Sequence, residues 1–465
     1  MSITMDQTAY EAIQTDIDKA AGRQRLFFWS VMAVILAYLA FSWVQFDIGS
    51  LKKKWKPERA ALFVLDTYAH KDHVTTGWAS PDEVVISFEG GHRHVYDPKP
   101  DWYADNGADG RVVTFGNGGK VILLDDAVEL DWPGEDEIYR FELNSDGKPF
   151  VVGYQDRLDE LPGWIRQTAN KVEIRPSLFE RLQVGTRKIE AHRYKVGWAY
   201  FWFDFDSPLR DYGFWSGLGL MFSGDRVVPE ISNAKLVWTE FRDNTIWAHG
   251  TILYAMLETV FMALLGTMIA AAVGLPLAFM AARNIQPVSG IRFALRRLFD
   301  VLRGIDTLIW SLIFLRAFGP GLFTGIFAIA FTDTGTLGKL MSEAVENADN
   351  NQREGIQSTG AGKIQQQRFG ILPQIMPVFI SQSLYYLESN TRSAVIIGAM
   401  GAGGIGLQFL GALQTGNDFE NVAYMALLVL ITVVAMDAMS AWLRNKLIGI
   451  EKRDNRRRLN RRSEP

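Results

Sequence analysis

Two apolar blocks, residues 26–46 and 250–448, bracket a polar stretch at 51–245. That segregation limits the chain to a membrane architecture carrying one large hydrophilic insert. The overall hydrophobic fraction of 48% hides the division, because the polar stretch offsets the apolar blocks. Leu26 to Phe46 carries no charge between Arg25 and Asp47. It is long enough to cross the roughly 30 Å hydrocarbon layer of a bilayer. A cleaved signal peptide has a shorter apolar core of roughly 7–15 residues, so a permanent anchor is expected.

The second block divides into several candidate spans. Residues 250–282 contain one charge, Glu258, and end at Arg283-Asn284. Residues 298–318 and 320–340 are separated by Gly319-Pro320-Gly321, a helix stop and turn. A polar loop at about 341–370 follows, then spans at 371–400 and 421–443, the last carrying only Asp437. The expected fold class is an α-helical multipass membrane protein of about six transmembrane helices, with a large, mainly β extracytoplasmic insert.

Lys and Arg near helix ends orient such a chain. The segment 283–297 is basic, as is the tail at 449–465, whereas 411–421 has no Lys or Arg and carries Asp418 and Glu420. This pattern places residues 1–25, the coupling loop 341–373 and the tail in the cytoplasm, and the insert 51–245 outside. Lys52, Lys53, Lys54, Lys56 and Arg59 outnumber Lys19, Arg23 and Arg25 across the first span and by themselves argue the reverse. Long domains translocate largely regardless of charge, so the later helices decide.

The polar loop carries Glu354-Gly355-Ile356, Gly360, Gly370 and Leu372-Pro373. Gly360 allows two short helices to meet at a sharp angle through positive φ, and Pro373 is tolerated in a first helical turn. Further stretches accompany it: Ala282-Arg283-Asn284-Ile285, Gly335–Glu346, Ser358–Ala361, Leu372–Pro377 and Glu388–Gly406. On these residues, 225–448 resembles the membrane subunit of a binding-protein-dependent ABC importer, most closely the phosphonate-type permeases. Glu354, Gly360, Leu372 and Pro373 match the coupling motif in register, while Gly355, Ile356 and Gly370 depart from it.

The resemblance implies an ABC importer permease fold in a bacterial inner membrane and import of phosphonate or a related phosphorus oxyanion. It assigns ATP and Mg to a partner ATPase dimer, with no cofactor and no catalysis in this chain. An extracytoplasmic phosphonate-binding protein, a second permease copy forming a homodimer and membrane lipid are the implied partners; nothing marks a nucleic-acid binder. The loop Glu354–Pro373 would meet the ATPase.

Two glycine motifs offer other chemistry. Thr359-Gly-Ala-Gly-Lys363-Ile364 ends like a phosphate-binding P-loop, but Gln357 and Ile364 stand where that motif needs Gly and Ser or Thr. Gly401-Ala-Gly403-Gly404-Ile-Gly406 satisfies the dinucleotide-binding fingerprint, which makes a membrane-bound oxidoreductase one alternative. The preferred account is packed glycines letting helices approach at the outer end of a pore. A second alternative is a membrane-anchored sensor or binding protein acting through the insert.

Charges inside spans are candidates for a substrate path. Arg316 falls deep in the third expected span, and Glu388 and Arg392, four residues apart, face one side of a helix and can pair. In the insert, turns at Gly90-Gly91, Gly116–Gly119 and Asn144–Gly147 separate strand-like runs at 112–115, 121–124, 138–143 and 150–153. His92 and His94, with Asp97 and possible help from His70 and His73, present imidazoles, but scattered histidines are more often packed or surface residues, so no metal site is assigned. The absence of Cys excludes disulfides and thiolate metal sites.

Overall fold

A computed structural model describes the backbone of residues 7–50, 55, 57–90, 93–107, 110–415 and 419–462. His92, Lys52–Lys54, Lys56 and Asp418, used above, lie outside the described residues, as do the side chains of the basic tail. The chain divides into two units, residues 1–64 and 65–465. In the first, α1 (Gln7–Gln45) contains Ala21–Gln45, which is long and apolar enough to cross a membrane. A short helix, α2 (Pro57–Thr67), follows it in sequence.

The insert is built on two antiparallel six-stranded sheets. One has the order β2 (Ser80–Phe88), β1 (Ala69–Gly77), β12 (Lys188–Val196), β11 (Glu180–Gly185), β10 (Lys171–Ile174) and β9 (Ile165–Gln167). The other is a meander from β3 (Tyr103–Asp105) through β4 (Arg111–Thr114), β5 (Lys120–Leu123), β6 (Val128–Asp131) and β7 (Tyr139–Leu143) to β8 (Pro149–Val151). Alternating residues such as Val113, Val121, Leu130 and Phe141 meet Val74, Ile86, Val172 and Leu182 in a single apolar core. Period-2 patterning of this kind buries one face of each sheet. The four strand-like runs of the sequence coincide with β4, β5, β7 and β8.

The aromatic run 195–205 is not a continuous strand. β12 stops at Val196, and the following residues form an irregular aromatic hub between the insert and the helices. Two helices, α3 (Phe214–Leu220) and α4 (Asn233–Arg242), lead from the hub to α5 (His249–Ala281). Buried His249 opens α5. Its Nε2–H donates to the Phe201 carbonyl at 2.5 Å, which leaves Nδ1 to accept from the Tyr424 hydroxyl at 2.9 Å. Trp247 Nε1 donates to Ala199 O, and Asn244 Nδ2 to Tyr200 O, both at 2.9 Å. Each of these three buried polar side chains thus has a partner. The stretch Tyr212–Phe222, which the sequence allowed either as core or as membrane surface, leaves Trp215 and Phe222 exposed.

The helical part continues with α6 (Ser289–Gly304), α7 (Thr307–Phe318), α8 (Leu322–Glu346), α9 (Asn350–Ser358), a turn α10 (Lys363–Gln366), α11 (Leu372–Ile397), α12 (Gly404–Thr415) and α13 (Phe419–Arg462). α5 and α8 run in the same direction, side by side: Gly266 faces Ile329 and Gly274 faces Gly338. A Cβ on Gly266 would lie 2.7 Å from Ile329 Cγ2, so the small residue is what permits the approach.

The span count is corrected. Among the described residues three helices are long and apolar enough to cross a membrane: Ala21–Gln45, His249–Ala281 and Phe419–Leu447. A fourth arises if Lys363–Ala402 and Gly404–Thr415, bent by 63°, count as one. The third expected span, 298–318, is two helices broken at Ile305, which is extended, and Asp306, which caps α7 by accepting from Leu308 N at 2.8 Å. Asp300 in α6 pairs with Arg297 at 3.2 Å, Arg303 at 3.4 Å and Lys339 of α8 at 3.3 Å. That charged face is the physical reason the span does not continue. The fourth expected span, 320–340, is the longer α8.

Candidate functional site

The polar loop between α8 and α11 is where sequence and geometry converge. Asp349 caps α9, its side chain accepting from Asn351 N at 3.0 Å. α9 ends at Thr359, and Gly360 turns the chain with φ +80°, a conformation that costs a side-chain-bearing residue but not glycine. The chain then returns through α10 and a π-helical turn at Gln367–Ile371 into α11. Leu372 opens α11 and joins an apolar cluster with Ala282, Val345, Ile371 and Ile375, and Pro373 occupies its first turn. Glu354 points to solvent on α9, and Ile364 and Phe369 are exposed at 79% and 58%. An exposed carboxylate beside exposed apolar side chains gives this loop the makings of a contact surface.

The departure at Gly370 has a physical account. A Cβ there would lie 3.1 Å from Arg353 Cα, so the glycine lets α9 lie directly on the turn that starts α11. Gln374 fastens the same junction: its Oε1 accepts from Asp349 N at 2.9 Å, and its Nε2 donates to Asp349 O at 3.2 Å and Gly370 O at 2.6 Å. The loop is also tied to the ends of α5 and α8. Arg353 Nη1 donates to Asn284 O at 3.4 Å, Asn284 Nδ2 to Val345 O at 2.8 Å, and Arg283 N to Glu346 Oε1 at 2.6 Å. Arg296 of α6 completes an ion pair with Glu346. The start of α9 and the ends of α5 and α8 thus share one hydrogen-bonded junction with the start of α11.

At the other end of α11, Gly401, Gly403 and Gly404 all have positive φ, and Gly406 approaches Val395 so closely that no side chain fits. The amides opening α12 meet α5: Glu258 Oε2 accepts from Gly404 N at 3.3 Å and Thr259 Oγ1 from Ile405 N at 2.9 Å. The dinucleotide-binding alternative is corrected here, because Ala394–Met400 is helical where the fingerprint needs a strand.

Arg392 pairs with Glu388 at 3.1 Å and its side chain stays 62% exposed. Arg316 does not lie deep in a span: it occupies the exposed last turn of the twelve-residue α7, and no ion pair reaches it among the described residues. The sequence reading missed Asp333. Buried in the middle of α8, it accepts from Asn390 Nδ2 of α11, which also reaches Thr267 Oγ1 of α5 at 2.8 Å. The run Gly335–Glu346, helical beyond it, is the sequence signal that sets Asp333 inside a helix and not at its end.

Residues 274–448 match the family described as binding-protein-dependent transport system inner membrane component. A phosphite transport system permease protein of Stutzerimonas stutzeri is 35% identical over 189 residues, which is 41% of this chain and 68% of that one. The chain belongs to this family of permease components. A phosphate-import permease protein of Mycolicibacterium smegmatis is 34% identical over 191 residues, and the match spans only 36% of that relative's length. An Escherichia coli chain provisionally named a cryptic phosphonate transport system permease protein is 44% identical over 121 residues, covering 26% of this chain and 98% of its own. These relatives are named as permease components, not enzymes, and the family match at 274–448 begins beyond the insert.

Proposed function

We propose that this permease imports phosphonate or a related phosphorus oxyanion, such as phosphate or phosphite, driven by a separate ATPase dimer that docks on Glu354–Pro373. The relatives named for phosphite, phosphate and phosphonate transport support the substrate class. The coupling role is supported by one observation: α9 is fastened through Gln374 to the first turn of α11, and through Arg353 to Asn284, which follows α5 and bonds to Val345 at the end of α8. A push on α9 then tilts those helices together, while the glycine break at 401–406 lets the far end of α11 yield. Alternating access of this kind rocks helices around a fixed path.

In this reading the permease is a homodimer in the inner membrane. Both termini are cytoplasmic, and the insert 51–245 lies outside, where a substrate-binding protein docks on it. ATP and Mg stay on the partner. Arg392 and Arg316 supply positive potential to a passing oxyanion, with Glu388 holding Arg392 between passages.

Gly360→Pro tests the coupling, because proline cannot adopt φ +80°. Uptake of radiolabelled phosphonate and phosphate is measured in cells, with membrane insertion checked by immunoblot. Loss of uptake at normal insertion is expected. Full-rate uptake in the variant contradicts the mechanism.

A further inference from the structure

His94, in the loop after β2, converges with Asp204 and Asp206 of the aromatic hub, and one ligand atom from each lies within 4.8 Å of the other two. Thr245, four residues before α5, fixes the protons around them. Its amide and hydroxyl both donate to Asp204 Oδ2, at 2.7 and 2.6 Å. With its only proton committed, the Thr245 oxygen can only accept from His94 Nε2, 3.4 Å away. The Nε2 nitrogen therefore carries the hydrogen, and in the neutral ring Nδ1 presents a lone pair.

That lone pair faces Asp206 Oδ2 at 3.1 Å and Asp204 Oδ1 at 3.7 Å. Asp204 Oδ1 also accepts from Phe205 N at 2.6 Å. Three acceptors pointed at one another repel unless a cation lies among them. Among the described residues no Lys or Arg pairs with either carboxylate, and the neighbouring Arg210 pairs with Asp211 instead. The cation is then either a second proton on His94 or a metal ion. The spacing accommodates a metal: zinc bonds of roughly 2.0–2.2 Å place adjacent tetrahedral ligand atoms roughly 3.4 Å apart, which the two distances bracket, while 3.1 Å is also the length of an N–H···O bond from a doubly protonated ring.

We infer that His94 Nδ1, Asp204 and Asp206 form a divalent-cation site, of the imidazole-carboxylate type that suits Zn²⁺, joining the β insert to the segment leading into α5. The side chains of His94 and Asp204 are 13% and 12% exposed, so two ligands are held in place by packing. Asp206 is 71% exposed and leaves the open side for water ligands. Thr245 and the Phe205 amide orient the inner carboxylate, and the relay from His94 Nε2 keeps Nδ1 free for the ion. This site is independent of the transport reading.

The full chain, reconstituted in lipid nanodiscs and stripped with a chelator that is then removed, is titrated with Zn²⁺ by calorimetry at pH 7.5. His94→Gln and Asp206→Asn are measured alongside. The expected result is one tight site per chain, with affinity at least tenfold weaker in both variants, and thermal unfolding of the wild type alone delayed by Zn²⁺. Asp206→Asn alters an exposed side chain, so weaker binding there with an unchanged circular dichroism spectrum reports a lost ligand and not a lost fold. Absence of tight binding in the wild type means that a proton alone fills the position and overturns the inference. Binding unchanged in either variant overturns it equally.

Discussion

Gln374 and Asp349 exchange two hydrogen bonds, amide to Oε1 at 2.9 Å and Nε2 to carbonyl at 3.2 Å, so the first turn of α11 grips the cap of α9. One side chain thus joins α9 to the 26-residue α11. Net hydrogen bonds of this kind contribute about 0.5–1.5 kcal/mol each. Gln374→Leu removes the grip while keeping the volume. Uptake should fall about tenfold with ATP hydrolysis by the assembled complex retained. Equal uptake per ATP hydrolysed in wild type and variant would show that the grip transmits nothing.

Gly370 is predicted to be intolerant of bulk. Gly370→Leu drives a side chain into the Arg353 backbone, 3.1 Å from where its Cβ begins. Overpacking costs about 1–3 kcal/mol, and here the cheapest relief is for α9 to lift off the turn at 367–371. Limited proteolysis of the membrane-inserted chain should then cut within 350–366 several times faster than in wild type. An unaltered cleavage rate counts against close packing of α9.

Asp333 and Asn390 should be energetically coupled. Asn390→Leu strands a buried carboxylate, whereas Asp333→Leu together with Asn390→Leu removes both polar partners. Double-mutant cycles for hydrogen bonds between membrane helices give about 0.6 kcal/mol on average and up to about 1.7. A cycle on unfolding of the purified chain should fall in that range, with the double variant more stable than the sum of singles predicts. Strict additivity would mean that the two side chains do not meet.

The insert carries a pH dependence of definite sign. His73 of β1 and His192 of β12 are register partners with nitrogens 3.3 Å apart. Burial pushes His73 down to about 3 and holds His192 well below the usual value of 6.5. An unfolded insert takes up protons near 6.5 that the folded one refuses, so stability is lost as pH falls through about 6.5 toward 3. Between pH 6.5 and 5, where carboxylates change little, the melting temperature of the insert should decline. It should decline less in the His73→Leu, His192→Leu double variant. A profile flat across that interval would contradict the buried neutral pair.

Features encoded by local pattern were legible in the sequence. Val112, Val121, Phe141 and Phe150 announced strands by alternation and turn chemistry, and Gly360 and Pro373 announced a bend and a helix start. What escaped depended on contacts between distant residues. Asp300, Arg303 and Asp306 were consistent with the charged entry of one long span until Asp306 proved to cap a new helix and Asp300 to pair with Lys339. Asp333 gains its meaning from Asn390 and Thr267, on two other helices. His94 finds its neighbours Asp204 and Asp206 more than a hundred positions away, while sequence proximity had directed attention to His92 and Asp97.

The central claim, that the loop at 341–373 faces the cytoplasm and an ATPase while the insert faces outward, is tested most directly by exploiting the lack of native cysteine. Ser145→Cys in the turn between β7 and β8 and Ser358→Cys at the end of α9 are both exposed positions. Intact cells expressing each variant are treated with a membrane-impermeant thiol reagent. The account predicts labelling of position 145 in intact cells and of position 358 only after lysis. Labelling of position 358 from outside would remove the loop from any cytoplasmic ATPase and contradict the mechanism.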